Sequence, residues 1–337
     1  MKKRILVAIF CATMALSLTA CAGNSTKPEN NTQVDSSQDA NEEKKTITIK
    51  SYDGNKNIID VEVPYNPQRI AILDFPSLDI LAALEKTDRV VGSADTSIEY
   101  LSAYTKKDGV ANIGTIKEAD LEAIMESEPD VIFIGGRLAT VYDSLKEIAP
   151  VVYLGIDSDL GVVESVRSNA TTIASMFGEE EKVADLMADF DQRIATLQEV
   201  AKDKKAIIGM TTSGSFNLLA NEGRCTIIGN EIGFNNIGAP VEEQGGSSAT
   251  HGNEASFELV ASLNPDYMFI LDRDSAIGAE GAQLAQQIIE NELVKGTDTY
   301  KNGNIVYLAN PAVWYTAEGG ITALDIMLSD LESALLK

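Results

Sequence analysis

The chain has 337 residues, with 51 acidic against 27 basic side chains, one histidine and a formal charge of −24. So acidic a surface excludes nucleic acid as a partner, because phosphate backbones need basic patches. It also makes any cluster of arginines stand out.

The chain opens with Lys2, Lys3 and Arg4, and residues 5–20 are mostly apolar but short for a membrane span. That stretch ends Leu18-Thr19-Ala20-Cys21, which resembles a bacterial lipobox. Charged start, apolar core, small residues and cysteine fall in order. They predict a lipoprotein signal over residues 1–20, with Cys21 lipidated as the mature N-terminus. An ordinary secretory signal followed by a chance cysteine is the alternative. The prediction places the protein on the extracytoplasmic face of the cell membrane, held by lipid. Loss of the signal takes the formal charge from −24 to −27. Residues 21–45 are nearly free of apolar side chains, so they are expected to form a disordered tether. Cys11 leaves with the signal and Cys21 carries lipid, so Cys225 is left alone as a packed apolar thiol with no disulfide partner.

The remaining residues exceed what one core comfortably takes, so two lobes are expected. Residues 47–49 and 58–63 alternate apolar and polar around Asp53-Gly54, the pattern of a hairpin. Strands follow at 69–73, 90–91, 131–134 and 151–154, with helices at 78–84, 121–126 and 141–148 between them. This alternation predicts an α/β lobe with a mostly parallel sheet over residues 46–160. Residues 162–177 and 179–201 both show helical periodicity, giving a connector at 161–203. A 23-residue helix over 179–201 would be roughly 35 Å long and would serve as a strut between lobes. A surface helix of one lobe fits the same periodicity. A second α/β lobe at 204–337 takes strands at 206–210, 268–271 and 305–308 and helices at 225–232, 257–263 and 320–336. Residues 218–252 are rich in Gly, Asn and Ser, the composition of ligand-contacting loops. The fold class is thus α/β: two lobes with mostly parallel sheets, joined by a long helix, with a ligand cleft between them.

Two stretches repeat one spacing. Glu122 and Glu258 each open a helical pattern, a Pro-Asp pair follows seven residues later, then an apolar run, and Arg137 and Arg273 each stand eight residues past the proline. Both arginines follow strands directly, where α/β folds collect ligands. Arg224 lies in a loop after Asn221-Glu222-Gly223. A lone strand-end arginine is as readily a salt-bridge partner. Three in an acidic protein favour an anionic ligand, because guanidinium stays charged and forks its hydrogen bonds. His251 lies in a loop, and Trp314-Tyr315 in another strand-end loop. An aromatic pair there is commonly packing, yet imidazole suits iron and a phenolate suits a ferric centre. No zinc motif, Walker A sequence, dinucleotide fingerprint or Gly-x-Ser-x-Gly is present, so no enzyme constellation emerges.

At this point the mature chain resembles the lipid-anchored, iron-siderophore-binding components of bacterial ABC importers. The resemblance rests on the lipobox, the paired helix–Pro-Asp–strand units, the connector and the closing Gly319-Gly320 helix. More narrowly, it is similar to the branch that binds ferric catecholates, including petrobactin-type and tetradentate ligands. That resemblance implies ligand contacts from Arg137, Arg224, Arg273 and Trp314, and iron contacts from His251 and Tyr315 where a siderophore supplies four donors. It implies permease docking by Glu122 and Glu258, one on each lobe. Cys225-Thr226 after Arg224 departs from the branch's pattern. The expectation is a monomeric, non-enzymatic solute-binding protein with no permanent cofactor. Its partners would be a ferric siderophore, an ABC permease dimer and, through lipid, the membrane. Haem or cobalamin is the alternative cargo, and a lipid-anchored sensory or adhesive protein the alternative class.

Overall fold

The computed structural model describes residues 45–239 and 252–336. The signal, Cys21 and His251 lie outside the described residues. Strands β1 (Thr46–Tyr52) and β2 (Ile58–Pro64) form the expected antiparallel hairpin, with Tyr52 opposite Ile58. The turn is held by Asp53, whose Oδ1 accepts the backbone N–H groups of Asn55 and Asn57 at 2.8 Å each.

The first sheet contains β3 (Ile70–Leu73), β4 (Val90–Ser93), β5 (Ala111–Asn112), β6 (Val131–Ile134) and β7 (Val151–Tyr153), in the order β5-β4-β3-β6-β7. Every pairing is parallel. Every residue of β3, β6 and β7 is buried, which is why these strands read as unbroken apolar runs. The second sheet contains β8 (Lys205–Thr212), β9 (Ser215–Leu218), β10 (Asn235–Asn236), β11 (Asn253–Glu254), β12 (Tyr267–Asp272) and β13 (Ile305–Tyr307). Its path is β11-β9-β8-β12-β13, with β10 also beside β8. Here β8, β12, β13 and β10 pair in parallel, while β9 runs antiparallel to β8 and β11.

The connector departs from expectation. Helices Gly161–Ser175, Glu181–Leu186 and Phe190–Ala201 lead from β7 to β8, so the continuous rod over residues 179–201 is in fact two helices. Met187 ends the first at φ −114° and ψ 12°. Val183, Met187, Phe190, Ile194 and Leu197 are all buried. The break keeps the same stripe facing inward, so apolar periodicity could not reveal it. Bridging falls instead to Gly161–Ser175, which packs on the first-lobe helix Phe75–Ala83 and on the second-lobe turn Ile227–Glu231. At its N-terminal end, Val163 N–H donates to the Glu231 carboxylate at 2.9 Å.

The closing helix Ile321–Leu335 also crosses back, packing on Phe75–Ala83 and Phe190–Ala201. Its first amides are capped from the first lobe: fully buried Asp79 accepts from Thr322 N at 2.8 Å, Ala323 N at 2.9 Å and Tyr100 Oη at 2.6 Å. This explains the glycine before the helix, because a Cβ on Gly320 would stand 2.4 Å from Asp79 Cγ. One apolar core consequently runs from the first sheet through these helices to the second. A smaller cluster around Ile207, Val260, Met268 and Ile270 fills out the second lobe. Among the described residues no helix is long and apolar enough to cross a membrane.

Candidate ligand-binding cleft

A cleft of about 610 Å³ opens where the strands of the two sheets end. The first lobe supplies Asp74 after β3, Gly135, Gly136 and Arg137 after β6, and Tyr153 to Asp157 at the end of β7; the second supplies Arg224, Tyr315, Thr316 and Glu318. The Gly135-Gly136 pair is needed for close approach. A Cβ on Gly135 would meet Asp74 Oδ1 at 2.6 Å, and one on Gly136 would meet Tyr153 Oη at 2.8 Å.

Tyr315 is the centre of the arrangement. It sits on the short helix Pro311–Thr316, and its side chain is almost fully buried. The guanidinium carbons of Arg224, Arg273 and Arg137 stand 3.9, 5.7 and 5.8 Å from its ring centroid. Arg224 Nη1 donates to the Tyr315 carbonyl at 2.5 Å, Arg137 Nη2 to the same carbonyl at 3.4 Å, and Arg273 Nε to the phenol oxygen at 3.0 Å. Three arginines far apart in sequence therefore converge on one tyrosine. Burial pushes the phenol up, but the Arg273 hydrogen bond and the charges of Arg224, Arg273 and Arg137 outweigh it and hold Tyr315 below the ordinary phenol value. Burial likewise lowers the Arg224 guanidinium.

The three arginines are not equivalent. Arg137 and Arg224 line the cleft, whereas Arg273 does not. Arg273 acts through Tyr315 and is itself tied to Thr212 Oγ1 at 3.2 Å and to Asp274 at 3.3 Å. Beside Arg224 the backbone is unusual: Cys225 has φ +58°, a left-handed conformation uncommon for a residue with a side chain. The Cys225 thiol is buried and pushed up by desolvation, in keeping with an inert packing role.

Trp314 stands apart from the other expected site residues. It is fully buried, does not line the cleft, and donates Nε1–H to Asp330 at 2.9 Å. Successive residues of a helix point about 100° apart, so Tyr315 faces the arginines while its neighbour stays in the core.

Sequence reasoning missed the acids. Glu318 lines the cleft three residues past Tyr315, and its Oε1 is buried without a hydrogen-bond partner. Burial raises its carboxyl to about 7, against the pull of Arg224 and the Cys225 N–H and with the help of Glu231. Asp74 is also raised by burial while Ser77 and Arg137 oppose. With Asp157 on the first-lobe side, the lining holds three acids beside Lys56, Arg137 and Arg224. The cleft is thus charge-paired rather than simply basic. No sequence signal marked these acids, since a carboxylate in a loop is ordinary until its burial is known.

Glu122 and Glu258 occupy matching places. Each is exposed in the first turn of a short helix, Leu121–Glu126 or Phe257–Leu263. Asp120 and Ser256 cap those helices. Exposed Leu121 and Met125 flank one glutamate, and exposed Leu259 the other. Among the described residues no cluster of three or more His, Cys, Asp or Glu side chains is arranged to hold a metal ion.

The family model described as periplasmic binding protein matches residues 70–312. The petrobactin-binding protein YclQ of Bacillus subtilis (strain 168) is 34% identical over 340 residues, covering 100% of both chains. Its crystal structure gives a TM-score of 0.77 over 87% of this chain and 100% of that one, at 33% identity. The periplasmic catecholate-siderophore binding protein VctP of Vibrio cholerae gives 0.76 at 28% identity, over 86% of this chain and 100% of that one. The probable siderophore-binding lipoprotein YfiY of Bacillus subtilis (strain 168) is 29% identical over 347 residues, covering 100% of this chain and 99% of that one.

Proposed function

The chain belongs to the periplasmic binding protein family, a class of substrate-binding proteins and not of enzymes, and we propose that it captures an anionic ferric catecholate siderophore and delivers it to an ABC permease. The observation that carries this reading is the convergence of Arg137, Arg224 and Arg273 on Tyr315 at the cleft. A ferric catecholate complex is anionic and presents aromatic rings. Fixed guanidinium groups and an aromatic ring in a partly desolvated site complement it. The names of the relatives, petrobactin-binding and catecholate-siderophore binding, support the same cargo class.

Ferric iron is cargo in this scheme, carried inside the siderophore. Where the siderophore supplies only four donors, Tyr315 and His251 complete the iron shell. The lowered phenol favours such a role for Tyr315, while His251 enters from the resemblance alone. The lipobox at Cys21 would anchor a monomer to the outer face of the membrane. Glu122 and Glu258, exposed at equivalent points of the two lobes, would meet the two halves of a permease dimer.

Titration of the buried Trp314 fluorescence with ferric catecholates and with haem tests the reading. Saturable quenching by ferric catecholates at concentrations where haem does nothing is expected; tight haem binding with no response to any catecholate would overturn it. With a tetradentate ligand, Tyr315→Phe and His251→Ala should each alter the visible charge-transfer band.

A further inference from the structure

We infer that Glu318 takes up a proton when an anionic complex enters the cleft, so that ligand capture is proton-coupled; this rests on reading the cleft as an anion site. Glu318 lines the cleft, and its Oε1 is buried with no partner. Arg224, the cation whose charge acts on it, does not satisfy it. Arg224 has committed Nη1 to the Tyr315 carbonyl and its flat face to the Tyr315 ring, and its Nε is itself buried and unpartnered. On the second-lobe side Glu318 meets the Cys225 N–H and thiol and the charge of Glu231. From the first lobe the same cleft is lined by Lys56, Asp74, Arg137 and Asp157.

An ionised carboxylate in this place opposes an incoming anion across a poorly solvated gap. A proton from solvent removes that repulsion. It also turns an orphaned acceptor in the cleft lining into a neutral O–H donor. The balance is simple: ionised protein, one proton and the anionic complex give the neutral carboxyl and the bound complex, with no bond in the ligand broken. The carboxyl of the free protein already titrates near neutrality, so only a modest further rise is needed for uptake.

The test is calorimetric titration with a gallium tris-catecholate at pH 8, in buffers of low and high ionisation enthalpy. Wild type is expected to take up roughly 0.5–1 proton per complex bound. Glu318→Gln should take up close to none, match the wild-type affinity at pH 6 and exceed it at pH 8. Glu318→Asp, which keeps a titratable group at this place, should retain uptake and guards against a fold defect in the amide variant. Equal uptake by wild type and Glu318→Gln overturns this inference alone. No binding by wild type at either pH overturns the anion-site reading and this inference with it.

Discussion

Arg224 and Tyr315 are joined twice, by a guanidinium lying 3.9 Å from the ring centroid and by Nη1 donating at 2.5 Å to the tyrosine's own carbonyl. The pair fixes both side chains before any ligand arrives. Preorganised charge costs little further ordering on binding.

From this, Arg224→Gln and Arg137→Gln should each weaken ferric-catecholate binding by about 10- to 100-fold, since hydrogen bonds to charged groups contribute roughly 1.5–3 kcal/mol. Arg273→Gln should cost less, because Arg273 reaches the cleft only through Tyr315 Oη. Its effect should largely vanish in a Tyr315→Phe background. Dissociation constants around that double-mutant cycle check the coupling.

Glu318 predicts a pH dependence of stability. Its carboxyl is raised in the folded state to about 7 from an ordinary 4.5. Between those values the folded protein holds a proton that the unfolded chain has lost, so stability falls as pH rises through this window and levels off above about 7. Glu318→Gln should remove that fall and be the more stable protein at pH 8, by on the order of 3 kcal/mol at most. Urea denaturation of both proteins at pH 5 and pH 8 measures the difference.

Asp79 accepts three hydrogen bonds, two from the first amides of the closing helix and one from Tyr100 Oη of its own lobe. Asp79→Ala strands those donors in the interior and should cost on the order of 3 kcal/mol, lowering the melting temperature by several degrees. Asp79→Asn keeps an acceptor toward the helix and should cost less. Thermal denaturation followed by circular dichroism ranks the two.

Exposure of Glu122 and Glu258 separates docking from helix support. If they act only on their helix ends, each contributes roughly 0.3–1 kcal/mol and transport is untouched. Docking predicts that Glu122→Ala with Glu258→Ala leaves ligand affinity unchanged and abolishes siderophore-dependent uptake. Growth on the ferric complex as sole iron source gives the readout.

The repeat units were the most legible part of the sequence. Helix Leu121–Glu126, strand Val131–Ile134 and helix Phe257–Leu263 fall where Pro129-Asp130 and Pro265-Asp266 punctuate the chain. Strand-end placement likewise singled out Arg137 and Arg273, and the structure brings both to Tyr315. Other features left no one-dimensional trace. The break after Leu186 preserves the buried stripe. The Gly-, Asn- and Ser-rich segment contains, beyond the helical turn Ile227–Glu231 expected within 225–232, the two-residue strand β10, whose length falls below any periodicity. Glu318 stayed hidden because its significance lies in burial, and the different placements of Trp314 and Tyr315 were invisible because adjacency in sequence is not adjacency at a surface.

The cap that Asp79 places on Ile321–Leu335 ties the order of synthesis to the order of folding. All five strands of the first sheet lie before residue 154, yet the helix that covers their lobe is made only after every strand of both sheets. Until it arrives, the surface of Phe75–Ala83 that receives it is bare, and Asp79 lacks its two backbone donors. A premature stop a few residues before Ile321 would therefore wound the amino-terminal lobe, more than two hundred residues away along the chain, although every strand of the carboxyl-terminal sheet would already have been made.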